Sequence, residues 1–256
     1  MADPTSNFRT FLDDANKYFG FEKAEIQGLL TALLAMTIIV SSRELFVDAP
    51  SFSVLMINFL KTAFNSFLIL TLSFAVYQTA QRLTAIRSGF KPEWRIWIYG
   101  LGIGLVLAFV SRGNLWFLAP GGLIVYHMAG HRIGSFRYGL NYWPLGLAAI
   151  MGPMCCVVLA IIFKVLSGVF PANPLILLAM HINIWLAVIN LIPIPPLEGS
   201  VMFFASRMVY IFAFALAAGT ALSLYFFSVW ISLLIGLVAG VILWQLVYWT
   251  IEKEVV

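Results

Sequence analysis

The chain is built from long apolar blocks separated by short polar ones. The apolar blocks cover roughly residues 26–46, 53–81, 96–111, 114–128, 144–168, 174–195, 208–227 and 229–250. A helix needs about 20 apolar residues to cross a bilayer core, and six of the blocks reach that length. The pair 96–111 and 114–128 is shorter, and "APGGL" (119–123) interrupts its second arm. That pair reads as two short spans or as a re-entrant hairpin shielded by protein. The pattern predicts an all-α polytopic membrane protein with about six to eight spans.

The start of the chain does not read as a span. In "PTSNFRTFLDDANKYFGF", Phe8, Phe11, Leu12, Ala15, Tyr18 and Phe19 recur at helical spacing, with Arg9, Asp13, Asp14 and Lys17 between them. Such a helix lies on a membrane surface or on a partner protein. The expected organisation is an interfacial amphipathic segment over 1–24 and a transmembrane domain over 25–256. No cleavable leader is expected, because the first apolar block follows more than twenty mostly polar residues.

Composition agrees with a lipid environment. The chain is 62% hydrophobic and 10% charged, whereas a soluble domain carries roughly a quarter of its residues as charges. The formal charge of +4 points to anionic lipid and gives no nucleic-acid signal. Cys155 and Cys156 are neighbours, about 100° apart on a helix, so they read as buried thiols without a mutual disulfide. Arg82, Arg87, Lys91 and Arg95 lie in one connecting stretch. The positive-inside rule places that stretch in the cytoplasm. Counting spans from it gives a multi-pass cell-membrane protein with both termini inside.

Two places carry candidate chemistry. His127 and His131 stand four apart in "YHMAGHRIG". On a helix they would share one face and could hold a metal, or they are solvated histidines at a cytoplasmic interface. Met128 stands where the zinc-protease pattern H-E-x-x-H has its general base. The second place is "HINIWLAVINLIPIPPLEGS" (181–200), where Pro193, Pro195 and Pro196 must break the helix between Asn190 and Glu198. Freed carbonyls and a carboxylate at such a break form either a ligand site or an ordinary helix end. Small residues in "AGTALS" (218–223) and "GLVAGV" (236–241) offer close helix contact, to a partner or within the bundle.

The segment "NLIPIPPLEGS" (190–200) resembles the second signature of the site-2 proteases, N-x-x-P-x-x-x-x-D-G, with Glu198 at the aspartate that binds zinc in that family. "GFKPEWRIWIYGLGIGLVLAF", "FLAPGGLIVY" and "AIMGPM" are similar to segments of its archaeal branch, in the same order. The resemblance covers most of residues 25–215. It places "YQTAQRLTAIRSG" (77–89) at the catalytic helix, so Tyr77, Gln78 and Gln81 occupy the positions of the first histidine, the glutamate and the second histidine.

Zinc prefers imidazole, thiolate or carboxylate. In this register only Glu198 remains a good ligand, and Gln78 is no base. Zinc lowers the pKa of its water from 15.7 to about 7, on the order of 12 kcal/mol at 1.36 per unit. The leading expectation is therefore a site-2-protease-like protein without enzymatic activity and without a cofactor. It would bind membrane lipids and a transmembrane partner, or serve as a subunit of a membrane complex. The alternative is an active or divergent intramembrane zinc metalloprotease that cleaves transmembrane segments, with zinc on His127, His131 and Glu198.

Overall fold

The computed structural model describes residues 4–48, 50–127 and 142–252. In chain order these form α1 (Pro4–Tyr18), α2 (Lys23–Ser41) with a 3-10 turn (Ser42–Phe46), α3 (Phe52–Arg87), β1 (Phe90–Ile96), α4 (Ile98–Val110), β2 (Gly121–His127), α5 (Tyr142–Val169), α6 (Pro174–Asn190), α7 (Glu198–Ala205), α8 (Arg207–Ser223) and α9 (Val229–Val247), then a π turn (Tyr248–Glu252). His127 closes β2. Its side chain and the whole of His131 lie outside the described residues.

Local chemistry sets the helix boundaries. Glu22 and Glu25 make a reciprocal capping box at the start of α2. Asn173 caps α6 and Pro174 takes its first turn, where a missing N–H costs nothing. α6 ends at Asn190, just before the three prolines, and the chain resumes as α7 at Glu198. α5 lies at the centre of the bundle, packed against α3, α6, α7 and α8. Its mid-helix Pro153 is buried in that core.

Three expectations need correction. First, the helical bundle carries one hairpin that was not expected. β1 and β2 pair antiparallel, from Phe90 opposite His127 to Ile96 opposite Gly121. The block 114–128 is therefore no membrane-crossing helix. Pro120 and two glycines block a helix there, and the following Leu-Ile-Val-Tyr run suits a pleated strand. A Cβ on Gly122 would lie 2.0 Å from the Pro196 carbonyl oxygen, so the glycine lets β2 rest directly on the α6–α7 break. His127 thus has strand backbone.

Second, four helices among the described residues are long and apolar enough to cross a membrane: Lys23–Phe46, Phe52–Arg87, Tyr142–Val169 and Val229–Thr250. Fewer helices reach that length than the six long apolar blocks suggested. The prolines cut the block 174–195 after 17 residues, and 208–227 likewise gives a helix of 17. Both sit at the lower limit of about 17 for a span. α4, with 13 residues, is about 20 Å long at 1.5 Å per residue.

Third, Arg82 is no loop cation. It lies inside α3, 1% exposed, with Nη2 at 2.5 Å from Glu25 Oε1. Its Nη1 donates to the carbonyls of Phe19 and Gly20, and its guanidinium stacks 3.8 Å over the Phe21 ring. The same Glu25 oxygen accepts the Trp94 N–H of β1 at 2.7 Å. One ion pair therefore ties the end of α1, the start of α2, β1 and α3 together. The small residues of α8 and α9 are also used internally. A Cβ on Gly236 would lie 2.0 Å from Thr220 Oγ1, so these two helices close on each other.

Breaking a buried pair leaves an uncompensated charge and costs about 3–5 kcal/mol. Arg82→Ala or Glu25→Ala is expected to destabilise the protein by that order in thermal or denaturant unfolding in detergent. The double substitution Arg82→Leu with Glu25→Leu should cost less than either single one.

Candidate functional site

Pro153 has no N–H, so the carbonyl of Ala149, four residues earlier on α5, loses its intrahelical partner. Gln81 supplies the replacement, with Nε2 donating to the Ala149 oxygen at 2.9 Å. The second N–H of the same amide reaches Glu198 Oε1 at 3.2 Å. One side chain on α3 thereby joins the middle of α5 to the first residue of α7. Tyr77 and Gln78 lie on the same face of α3, one turn earlier. Gly152 makes room for the tyrosine, since a Cβ there would lie 2.5 Å from Tyr77 Cε1.

All four side chains are buried, Tyr77 at 1%, Gln78 at 2%, and Gln81 and Glu198 at 0% exposure. The second Glu198 oxygen, the Gln81 carbonyl, both ends of the Gln78 amide and the Tyr77 hydroxyl have no hydrogen-bond partner. The hydroxyl interacts electrostatically with the Glu198 carboxylate but misses hydrogen-bonding geometry. Glu198 lies in the α6–α7 break, outside every candidate span. Burial pushes its carboxyl up from 4.5 to about 7, opposed by hydrogen bonds from its own α7 backbone and from Gln81 and by the nearby Tyr77 hydroxyl.

Asn190 serves the scaffold. Its Nδ2 donates to Leu186 at 2.8 Å and to Leu118 at 3.1 Å, which fixes the segment before β2 against α6. Tyr210 on α8 donates to the Leu191 carbonyl at 2.9 Å, which holds the other side of the break. An apolar cavity of about 580 Å³ opens beside it, lined by Leu123, Leu145, Pro195, Pro196, Val201 and Phe204 among others. Leu145 is one helical turn before Ala149 on α5, and Val201 is one turn after Glu198 on α7. The cavity wall thus lies about one turn from the cluster along each of these helices, and none of Tyr77, Gln78, Gln81 and Glu198 lines it.

The structure brings Tyr77 and Gln81 to Glu198, leaves Gln78 buried on the same turn of α3, and sets Asn190 aside as a brace. It does not bring a histidine to Glu198 among the described residues. His181 stacks on Tyr225 at 4.9 Å, two helical turns before the end of α6. The cluster does not fit zinc. It offers one carboxylate with amides and a phenol around it, and no group of three His, Cys, Asp or Glu side chains among the described residues could hold a metal. Sequence reasoning missed the Ala149 carbonyl. Its signal was Pro153 inside an apolar run, which frees an acceptor four residues back.

Among curated proteins, one from Methanocaldococcus jannaschii with the name "Putative zinc metalloprotease" is 30% identical over 185 residues, 71% of this chain and 84% of its own length. No family model and no solved structure matches. The relative's name points to protease activity and overturns the expectation of a protein without enzymatic function. That expectation inferred lost chemistry from one lost ligand set, and a different set of buried polar groups stands in the same place.

A carboxyl held at about 7 instead of 4.5 stabilises the fold when protonated. That contribution is present below the ordinary range and is lost as pH rises through about 7. Stability of the unsubstituted chain should fall by on the order of 3 kcal/mol more than that of Glu198→Gln between pH ~4.5 and ~7.5. Thermal unfolding of both proteins in detergent across that range measures the difference.

Proposed function

This chain belongs to the metalloprotease family of that archaeal relative, and on this premise we propose that it is a divergent intramembrane protease of the site-2 type. It cleaves transmembrane segments of other membrane proteins. The observation that carries the reading is the meeting of Gln81 and Glu198. They come from the two segments that resemble the family's catalytic helix and its second signature, and they meet in a buried polar cluster beside an apolar cavity. A bundle with no use for polar chemistry has little reason to seal a carboxylate, two amides and a phenol in one place.

In this reading the protein is a multi-pass resident of the cell membrane with both termini on the cytoplasmic side. Its partner is the transmembrane segment it cuts. Such a segment reaches the cleft through lipid, and the apolar cavity lined by Leu123, Leu145 and Phe204 suits an aliphatic or aromatic side chain. Among the described residues, the donors around Glu198 do not fit the family's zinc.

The test is direct. The full chain, purified in mild detergent or reconstituted in liposomes, is incubated with peptides that each contain one transmembrane helix, and products are read by mass spectrometry. Cleavage within the apolar segment is expected. A panel of such substrates that stays intact over days would refute the protease reading. Enlarging the wall of the cavity with Leu145→Trp should lower kcat/KM about tenfold or more and shift the preferred residue beside the cut toward smaller side chains, because a filled pocket rejects large groups by roughly 1–3 kcal/mol.

A further inference from the structure

Positive charge collects at the end of the bundle away from the hairpin. Arg43 follows α2, Arg112 follows α4, and Lys164 stands near the end of α5. One packed layer draws three elements together there. Ala160 of α5, Met180 and Ile184 of α6, Ala221 of α8 and Leu224 form a buried cluster. Lys164 is one turn beyond Ala160, His181 follows Met180, and Tyr225 follows Leu224. The His181 ring stacks on Tyr225 at 4.9 Å and 26°. The charges of Arg43 and Lys164 both bear on that imidazole. A Cβ on Gly113 would lie 2.3 Å from the Arg43 Cα, so the turn that carries Arg112 rests on Arg43.

These cations lack acidic partners. The ion pairs among the described residues lie at the hairpin end, on Arg82 and Lys91. Glu44 and Asp48 are the carboxylates nearest in sequence to Arg43, and Glu44 accepts a hydrogen bond from Thr62 instead. Arg43 is exposed, whereas Lys164 and His181 are half-buried. Depth matters here. α5 has 28 residues, about 42 Å at 1.5 Å per residue, which matches a bilayer with its head groups, about 40–45 Å. Lys164 lies about 8 Å inside that end, near the boundary between head groups and hydrocarbon. A lone lysine at this level snorkels to water. Snorkelling does not account for an arginine, a lysine and a stacked histidine brought to one place by three elements.

We propose that Arg43, Lys164 and His181 form a binding site for the phosphate of an anionic phospholipid. The guanidinium offers a planar pair of N–H donors to two phosphate oxygens, and Lys164 adds a point charge. The stack on Tyr225 holds the imidazole toward the same anion, and Arg112 adds positive charge at the rim. The apolar stripe Val158, Ile162 and Val165 on α5 is exposed and runs down from the level of Lys164. It covers the acyl chains, which a soluble phosphate lacks. A lipid held there joins the end of α2 to α5, α6 and the turn after α8, and its binding does not depend on proteolysis.

The test uses the full chain in a mild non-ionic detergent, titrated with phosphatidylglycerol, phosphatidylcholine or inorganic phosphate. Native mass spectrometry counts bound lipid, and the rise in unfolding temperature gives relative affinity. One retained phosphatidylglycerol per chain is expected, held in preference to phosphatidylcholine. Arg43→Gln and Lys164→Gln should each weaken it about fivefold or more. His181→Phe keeps a ring on Tyr225 and removes the N–H, so it should weaken binding while unfolding without lipid stays unchanged. Arg87→Gln, an exposed cation at the hairpin end, should bind like the unsubstituted chain. Equal retention of phosphatidylcholine, or an equal loss in Arg87→Gln and Lys164→Gln, would show general attraction to the surface and overturn the proposal. Inorganic phosphate that binds as tightly as the lipid would assign the site to a soluble anion and overturn it too. So would the absence of any retained lipid.

Discussion

The bundle depends on the carbonyl that Pro153 leaves without a partner. Inside lipid, an unpaired backbone carbonyl costs several kcal/mol, so α5 is only tolerable if another element supplies a donor at Ala149. Gln81 does so from α3, and the geometry that brings its amide there also brings it to Glu198. The rotation of α3, the bend position in α5 and the start of α7 are thereby coupled through one side chain. The next residue, Arg82, points in a different direction around α3 and anchors the ends of α1, α2 and β1 through Glu25. Two consecutive residues thus connect the N-terminal layer to the C-terminal half.

That arrangement also explains the hairpin. Trp94 on β1 is buried and packs edge-on against Phe74, which stacks on Tyr77. β2 lies on the Pro196 carbonyl at Gly122. The two strands therefore bridge the two sides of the cluster, from the aromatic column above Tyr77 to the proline break before Glu198. A helix over 114–128 would have lacked this flat edge. The strand backbone fills a gap that an α-helix of about 10 Å diameter cannot enter.

Much of this was readable from residues. The long apolar blocks became helices at nearly the expected bounds, and the three prolines ended α6 where they stand. The pairing of the Tyr77–Gln81 turn with Glu198 came from the order of several segments. The hairpin was not readable, because an apolar run of four to eight residues looks alike in a buried strand and a buried helix. Arg82 was not readable because a rule that counts cations cannot see Glu25, 57 positions away in the chain. The Ala149 acceptor belongs to the backbone, and its one trace in the sequence is Pro153, four residues on. The largest error was inferential. Tyr77, Gln78 and Gln81 were judged by what zinc requires, which says little about what amides and a carboxylate do by themselves.

The distribution of unpaired polar atoms separates a catalytic reading from a structural one. Elsewhere among the described residues Ser66 and Ser232 each leave a hydroxyl unpaired, Arg82 and Trp94, which both bind Glu25, each leave one N–H unpaired, and Asn183 and Asn190 leave only their oxygen free. Around Glu198, five unpaired atoms come from four residues within one turn of α3 and the first residue of α7. Each unsatisfied group costs on the order of 1–3 kcal/mol. A core selected for stability alone replaces such a cluster with aliphatic side chains of similar volume at little loss. A site that must receive a carbonyl and a water needs that hydrogen-bonding capacity held open, at a cost in stability, beside a buried carboxylate that no cation among the described residues neutralises.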